Sequence, residues 1–138
     1  MIVYKVVGVV GKKYKSVAVH QNMKDWMVWY KIGKQTKPKQ KGTYLYAFTS
    51  ERLAKKWMRS QLFEARKEGK RVPNWKVLKS EAETVKDKPM MATTNYLAVL
   101  FIGGNELLSS FWKDGKFFSG APEGTIWCKW IKPLEVIE

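Results

Sequence analysis

A run of lysines between aromatic residues is the feature of this chain with the clearest chemical meaning. Five lysines fall within eleven residues, and tryptophans and tyrosines flank them on both sides. Ammonium groups neutralise phosphates and aromatic rings stack on bases, which is the combination that single-stranded nucleic acid needs. The alternative is a solvated hairpin loop beside ordinary core aromatics. We expect anionic contact at Lys31, Lys34, Lys37, Lys39 and Lys41, with Trp29 and Tyr44 as candidates for stacking.

A second basic group follows on a predicted helix. Its outer surface would carry Arg52, Lys55, Lys56 and Arg59. These residues would extend the lysine surface if helix and loop lie on the same side of the molecule. Otherwise they are the solvated face that any helix of a basic protein presents.

The positive charge of the chain is concentrated in its first 80 residues. Residues 1–50 contain ten lysines and one acid, Asp25, and residues 51–80 add ten basic and three acidic residues. The last 58 residues contain six basic and eight acidic residues, within a total net charge of +14. A field polarised in this way attracts polyanions and speeds their encounter with the protein.

Few residues have types and spacing typical of catalysis or metal binding. His20 has no neighbouring nucleophile in the sequence, and the single cysteine, Cys128, lies between tryptophans in an alternating segment typical of a core thiol. Glu81 and Glu83 would share one strand face, but two carboxylates are fewer than metal-dependent phosphoryl transfer needs. We therefore expect no enzymatic activity, no cofactor and no metal.

Length and composition indicate one domain over residues 1–138, with 45% hydrophobic residues. One cysteine excludes an internal disulfide and fits the reducing cytoplasm. The opening residues lack the features of a signal peptide, and the longest apolar run, residues 96–102, is far shorter than a membrane span. We expect a cytoplasmic protein that does not contact a membrane.

The hydrophobic pattern predicts an α+β fold with an antiparallel or mixed sheet of five to seven strands. The principal amphipathic helix spans about 50–68: Ser50 is its N-cap, apolar residues recur every three or four positions, and Gly69 ends it. A short second helix is expected at about 106–113, residues 86–94 read as a connector, and residues 96–102 fit either a strand or the start of a helix. Strands are expected at residues 2–10, 13–20, 26–32, 43–48, 74–85 and 125–131, the last ended by Pro133, with an exposed loop at 33–42.

Several segments together resemble small uncharacterised proteins of bacteriophages and related mobile elements. The similarity lies in YKIGK at residues 30–34, GTYLYAF at 42–48, FWKDGK at 111–116 and APEGT at 121–125. It implies a mobile-element context and no particular mechanism. More distantly, residues 42–48 followed by a helix resemble a strand–helix step of ADP-ribosyltransferase-like folds, without the His, Tyr and Glu set of that chemistry.

The expected function is that of a non-enzymatic basic binding protein, an accessory factor of a phage or mobile element used in host takeover or against host defence. Its partner would be nucleic acid, or the acidic surface of a host protein that binds or mimics nucleic acid. The first alternative is a small-molecule module that captures a nucleotide signal in a pocket between sheet and helix. The second is a degenerate transferase. Steep salt dependence is expected of polyphosphate binding, and weak salt dependence of a mononucleotide.

Overall fold

The computed structural model describes residues 1–17, 27–40, 43–85, 91–93, 118–120 and 122–138. These residues form eight strands and one helix. In chain order they are β1 (Ile2–Val10), β2 (Lys13–Ser16), β3 (Trp29–Tyr30), β4 (Leu45–Phe48), α1 (Glu51–Lys67), β5 (Trp75–Val85), β6 (Met91–Thr93), β7 (Phe118–Gly120) and β8 (Thr125–Val136).

Six of the strands form a sheet that closes on itself. Their order is β3-β2-β1-β4-β8-β5, and a further pairing between β1 and β5 closes the sheet into a small barrel. Every named pairing in it is antiparallel. Strands β6 and β7 pair with each other in a separate two-stranded sheet.

Strands β1 and β8 each form hydrogen bonds with two different partners along one of their edges. On β1, Tyr4 pairs with β4, whereas the residues from Val7 to Val10 pair with β2. On β8, the first residues pair with β4, and Ile131 pairs with Thr36 of the segment that follows β3. The short strands β2, β3 and β4 and the segment around Thr36 therefore complete the wall between β1 and β8.

Two groups of buried side chains stabilise this arrangement. Alternate residues of a strand point to opposite faces, so Val3 and Val7 of β1 point into the barrel, where they pack with Leu78 and Ile131. The second group lies between the helix and the outer face of the sheet, where Ala54 and Met58 of the helix pack on Val6, Val17, Phe48 and Val77.

The helix has the start and the end that the sequence predicts. The Ser50 side chain accepts a hydrogen bond from the Leu53 N–H, 3.4 Å. At the other end Gly69 has a φ of 72°, and the N–H groups of Gly69 and Lys70 donate to the carbonyls of Arg66 and Ala65. This pair of bonds is a Schellman motif, which the left-handed glycine permits. Of the apolar residues that recur along the helix, Ala54 and Met58 are buried, whereas Leu53, Trp57 and Leu62 are only half-buried.

The α+β fold with one principal helix and a six-stranded main sheet is confirmed, but the closure of that sheet was not predicted. The prediction that Pro133 ends the last strand is wrong, since β8 continues to Val136. Pro133 sits where the register between β5 and β8 shifts, a bulge in which a residue without an N–H is accommodated. Part of the expected connector, Met91–Thr93, is a strand. The expected short helix at about 106–113 and residues 96–102 lie outside the described residues.

Candidate functional site

The lysine segment after β3 is attached to the barrel through its backbone. The Gly33 N–H donates to the Pro133 carbonyl, 2.7 Å, and Thr36 exchanges two backbone hydrogen bonds with Ile131, 2.8 and 2.9 Å. A turn precedes this attachment, with the Lys34 N–H bonded to the Lys31 carbonyl and Gly33 at a φ of 82°. A positive φ is accessible to glycine without strain. The segment is thus a fixed part of the wall rather than a free loop.

The side chains of this segment point outward as the sequence predicts. Lys31, Lys34, Lys37 and Lys39 are exposed, and Tyr44 is half-buried. Lys41 lies outside the described residues. A fixed backbone holds the spacing of the ammonium groups, which reduces the entropy that is lost when they bind a charged ligand.

A row of residues crosses the outer face of the sheet next to this segment. Trp75 of β5 pairs with Gly8 of β1, Gly8 pairs with Lys15 of β2, and Lys15 pairs with Trp29 of β3. Residues directly opposite each other on neighbouring strands share a face. We call Trp75, Gly8, Lys15 and Trp29 the outer-face row.

The helix covers the outer face on one side of this row and leaves the other side open. Val6 lies two residues before Gly8 on β1, on the same face, and is buried beneath the helix. Val10 lies two residues after Gly8 and is 39% exposed. Trp75 stands at the border, because its ring stacks on Trp57 of the helix at 5.8 Å between centroids and 12° between planes.

Lys15 lies flat across the glycine of the row. A Cβ built on Gly8 would lie 3.6–3.7 Å from Cγ, Cε and Nζ of Lys15, which is ordinary van der Waals contact, so the Lys15 side chain passes directly over Gly8. The Lys15 ammonium donates to the Ser16 carbonyl, 3.1 Å. Partial burial lowers the pKa of Lys15.

Trp29 is the exposed aromatic residue of the row, with 38% of its surface accessible. The ammonium of Lys13, on the neighbouring strand, lies 5.6 Å from the centroid of the Trp29 ring. This is within the distance at which a cation and the face of a ring attract each other. The described residues 1–17 and 27–40 contain no acid and eight lysines, of which all but the buried Lys5 lie outside the barrel, so this part of the surface has a positive potential.

The basic residues of the helix differ in their surroundings. Lys55 forms an ion pair with Glu51, 3.1 Å, and Arg59 forms one with Glu138. Within the described residues, Arg52 and Lys56 are exposed and have no ion-pair partner. Arg59 therefore connects the helix to the end of the chain, and the helix presents fewer unpaired cations than its sequence suggests.

The barrel interior contains a lysine that the sequence interpretation missed. Lys5 is 5% exposed and lies between the inward-pointing Val3 and Val7. Its ammonium donates to the Tyr46 carbonyl, 2.6 Å, and lies 5.5 Å from the ring centroid of Tyr30 and 4.7 Å from that of Tyr46. The sequence contained a signal for this position, because Lys5 lies two residues from both Val3 and Val7 along β1 and therefore points to the same face as they do.

Burial shifts the pKa values of the groups around Lys5. Desolvation lowers the pKa of Lys5 from its ordinary 10.5 to about 8, with the opposing influence of Cys128 smaller. Desolvation raises the pKa of the Cys128 thiol to about 11, and it raises that of Tyr30 as well. Cys128 is fully buried, which confirms a core thiol, and the pKa shift disfavours the thiolate that a nucleophile needs.

Two carboxylates that were considered for metal binding lie on the surface of β5. Glu81 and Glu83 are exposed, and Glu83 faces Lys129 at 3.9 Å. In the described part of the chain, no three His, Cys, Asp or Glu side chains lie close enough to share a metal ion. Nor does any helix in that part have the length and apolar character needed to span a membrane. His20 lies outside the described residues.

The space between helix and sheet is filled by apolar side chains where the structure describes it. Phe48 of β4 and Met58 of the helix are buried there together with Val77 of β5. This is the place where the alternative interpretation put a nucleotide pocket.

Comparisons of the chain with protein-family models, with curated proteins and with solved structures find no match in any of the three.

Proposed function

We propose that this chain is a non-enzymatic protein that binds nucleic acid through the lysine-rich outer surface of its barrel. The observation that supports the proposal best is the position of Lys13, Lys15 and Trp29 beside the fixed lysine segment. Exposed lysines on a rigid backbone neutralise several phosphates at once, and an exposed indole adds a surface for bases.

The residues proposed for phosphate contact include three that sequence spacing did not single out. Lys12, Lys13 and Lys15 lie at the β1–β2 turn and on β2, far in sequence from the lysine segment, and the β2–β3 pairing brings the two parts together. Arg52 and Lys56 add to the total positive charge. The proposed contact set is Lys12, Lys13, Lys15, Lys31, Lys34, Lys37 and Lys39.

The resemblance to phage and mobile-element proteins supports a role as an accessory factor that acts in the host cytoplasm by stoichiometric binding. A host protein whose acidic surface mimics nucleic acid would meet the same lysines. An experiment with purified protein and an oligonucleotide distinguishes the two partners, because only the first of them requires that the oligonucleotide binds.

Salt dependence of oligonucleotide binding tests the proposal. With about five phosphate contacts, the affinity should fall by about two decades or more between 50 and 200 mM salt. Fluorescence anisotropy with a labelled oligonucleotide measures this fall directly. Absence of binding at 50 mM salt overturns the proposal and leaves an acidic protein as the partner to seek.

Replacement of Lys34, Lys37 and Lys39 by Gln locates the surface. The variant should bind more weakly and show a shallower salt slope, while its thermal unfolding stays close to that of the original chain because these side chains are exposed. Lys67→Gln is the control, since Lys67 is exposed in the last turn of the helix, about 15 Å along the helix axis from Trp57, the helix residue that contacts the outer-face row. Equal effects of the triple variant and the control on affinity would contradict this location.

A further inference from the structure

We infer that the outer-face row and Lys13 form a site for single-stranded nucleic acid, in which a base stacks on Trp29. This inference rests on the proposed function and adds to it the strandedness of the ligand and the residue that distinguishes it.

The dimensions of the row suit an extended strand rather than one nucleotide. Neighbouring strands of a sheet lie about 4.8 Å apart, so Trp75 and Trp29, separated by three such steps, are about 14 Å apart. Between them Gly8 has no side chain, and the side chain of Lys15 lies over it. The result is a passage with Lys15 as its floor and an indole at either side.

The two tryptophans of the row differ in what their rings can accept. Trp75 already stacks on Trp57, with nearly parallel planes, and so forms a fixed wall of the passage. Trp29 is more exposed, and the contact on its ring is the ammonium of Lys13. An ammonium on a flexible stem moves aside more easily than a packed ring, which makes Trp29 the position for a base.

A nucleotide matches the Lys13–Trp29 pair in both of its parts. Its base can stack on the face of the Trp29 indole, and its phosphate can bind the Lys13 ammonium that moves off that face. The cation–π contact is thereby replaced by one stacking contact and one charge-assisted hydrogen bond.

The same geometry explains why single strands should be favoured over duplexes. In a duplex the faces of the bases are covered by their neighbours, and only phosphates and base edges are accessible. The lysines bind the phosphates of either form, whereas Trp29 contributes only when a base face is free. The preference for single strands should therefore depend on Trp29.

Anisotropy measurements on wild-type protein and on Trp29 variants test this inference. The probes are a labelled single-stranded 12-mer, as DNA and as RNA, and a DNA duplex with the same number of phosphates, at 100 mM salt. Trp29→Ala should lower affinity for the single strand about tenfold and leave duplex affinity within about twofold. Trp29→Phe should recover part of the loss, because a smaller ring still stacks.

Cross-linking of the wild-type protein provides a test that does not depend on the folding of a variant. A single strand that contains 5-bromouracil is irradiated in the complex, and the cross-linked peptide is identified by mass spectrometry. We expect the cross-link at Trp29.

The outcomes distinguish this inference from the proposed function. Equal affinity for single strands and duplex, together with no effect of Trp29→Ala, overturns the inference and leaves nucleic-acid binding intact. A cross-link only at residues outside the outer-face row and Lys13 also overturns it. Failure to bind any of the probes at 50 mM salt overturns the proposed function itself.

Discussion

At the scale of single residues, Lys5 shows how a small barrel holds a charge. A buried ammonium is costly unless its hydrogen-bonding capacity is met. Here a backbone carbonyl accepts one hydrogen bond, and the rings of Tyr30 and Tyr46 lie near the charge. These contacts compensate part of the lost hydration, and the lowered pKa of Lys5 shows that the compensation is incomplete.

The pH dependence of stability follows from the pKa of Lys5. With a folded pKa of about 8 and an unfolded value of 10.5, the unfolded chain holds more protons between these two pH values. Lys5 should therefore contribute a rise of about 1 kcal/mol in the free energy of unfolding from pH 8 to pH 9, and this contribution is lost as pH falls through 8. Urea unfolding at pH 8.0, 8.5 and 9.0 measures the change.

Lys5→Met isolates this contribution, since Met fills a similar volume and does not titrate. The rise between pH 8 and 9 should be about 1 kcal/mol smaller in the variant than in the original chain. The window ends near pH 9 because the raised pKa of Cys128, about 11 against 9.0, acts with the opposite sign above that point. If the free energy of unfolding rises equally in both proteins between pH 8 and 9, Lys5 is not the cause of the rise.

At the scale of elements, the helix and the turn before β8 depend on each other. Gly124 has a φ of 84°, and its carbonyl accepts a hydrogen bond from the Thr49 N–H, 2.8 Å, just before the helix begins. A Cβ built on Gly124 would come within 2.6 Å of Leu53 Cδ1 and 3.3 Å of Leu53 Cβ. The first turn of the helix thus approaches this turn closely, which requires glycine there.

Gly124→Ala should destabilise the protein by more than Gly11→Ala does. Both glycines have positive φ, and an L-residue there costs roughly 1–2 kcal/mol. Nothing lies within 4 Å of a Cβ built on Gly11, whereas at Gly124 the added Cβ also displaces the half-buried Leu53 side chain, which should cost about 1 kcal/mol more. Chemical denaturation of the two variants gives the comparison.

A double-mutant cycle with Leu53→Ala tests the cause. In that background the cost of Gly124→Ala should fall towards that of Gly11→Ala, because the clashing atoms beyond the Cβ are gone. Additive effects would mean that backbone strain, rather than Leu53, accounts for the whole loss.

At the scale of the whole molecule, closure of the barrel joins the proposed binding surface to the core. Thr36 belongs to the lysine segment, yet its backbone completes the wall opposite Ile131 of β8. Stability and the spacing of the lysines are therefore coupled through one pair of hydrogen bonds.

Thr36→Pro should reduce both stability and affinity. Proline has no N–H to donate to the Ile131 carbonyl, so the variant should lose about 2 kcal/mol of unfolding free energy, and its lysines should bind oligonucleotide more weakly although none is removed. Thr36→Ala keeps the backbone bonds and is the matched control. If Thr36→Pro lowers stability but leaves affinity unchanged, closure of the barrel at Thr36 is not needed for binding.

The sequence by itself determined those features that depend on residues near each other in the chain. The Ser50 cap, the recurrence of apolar residues and the glycine at position 69 act within a few residues, so the helix could be located to within one or two positions. The strand tendency of residues 2–10 and 74–85 is local in the same sense, as is the exposure of Lys34 and Lys37.

Tertiary structure alone decided which distant residues meet. The β1–β5 pairing and the attachment of Thr36 to β8 join residues at least 67 positions apart, and no local pattern specifies such partners. The register of β2 against β1 and β3 places Lys15 between Gly8 and Trp29, and closure of the sheet puts Lys5 inside the barrel. Both depend on backbone hydrogen bonds between strands, which any residue except proline can make. For this reason the residue types predicted the kind of partner, while only the folded barrel determined which lysines surround Trp29.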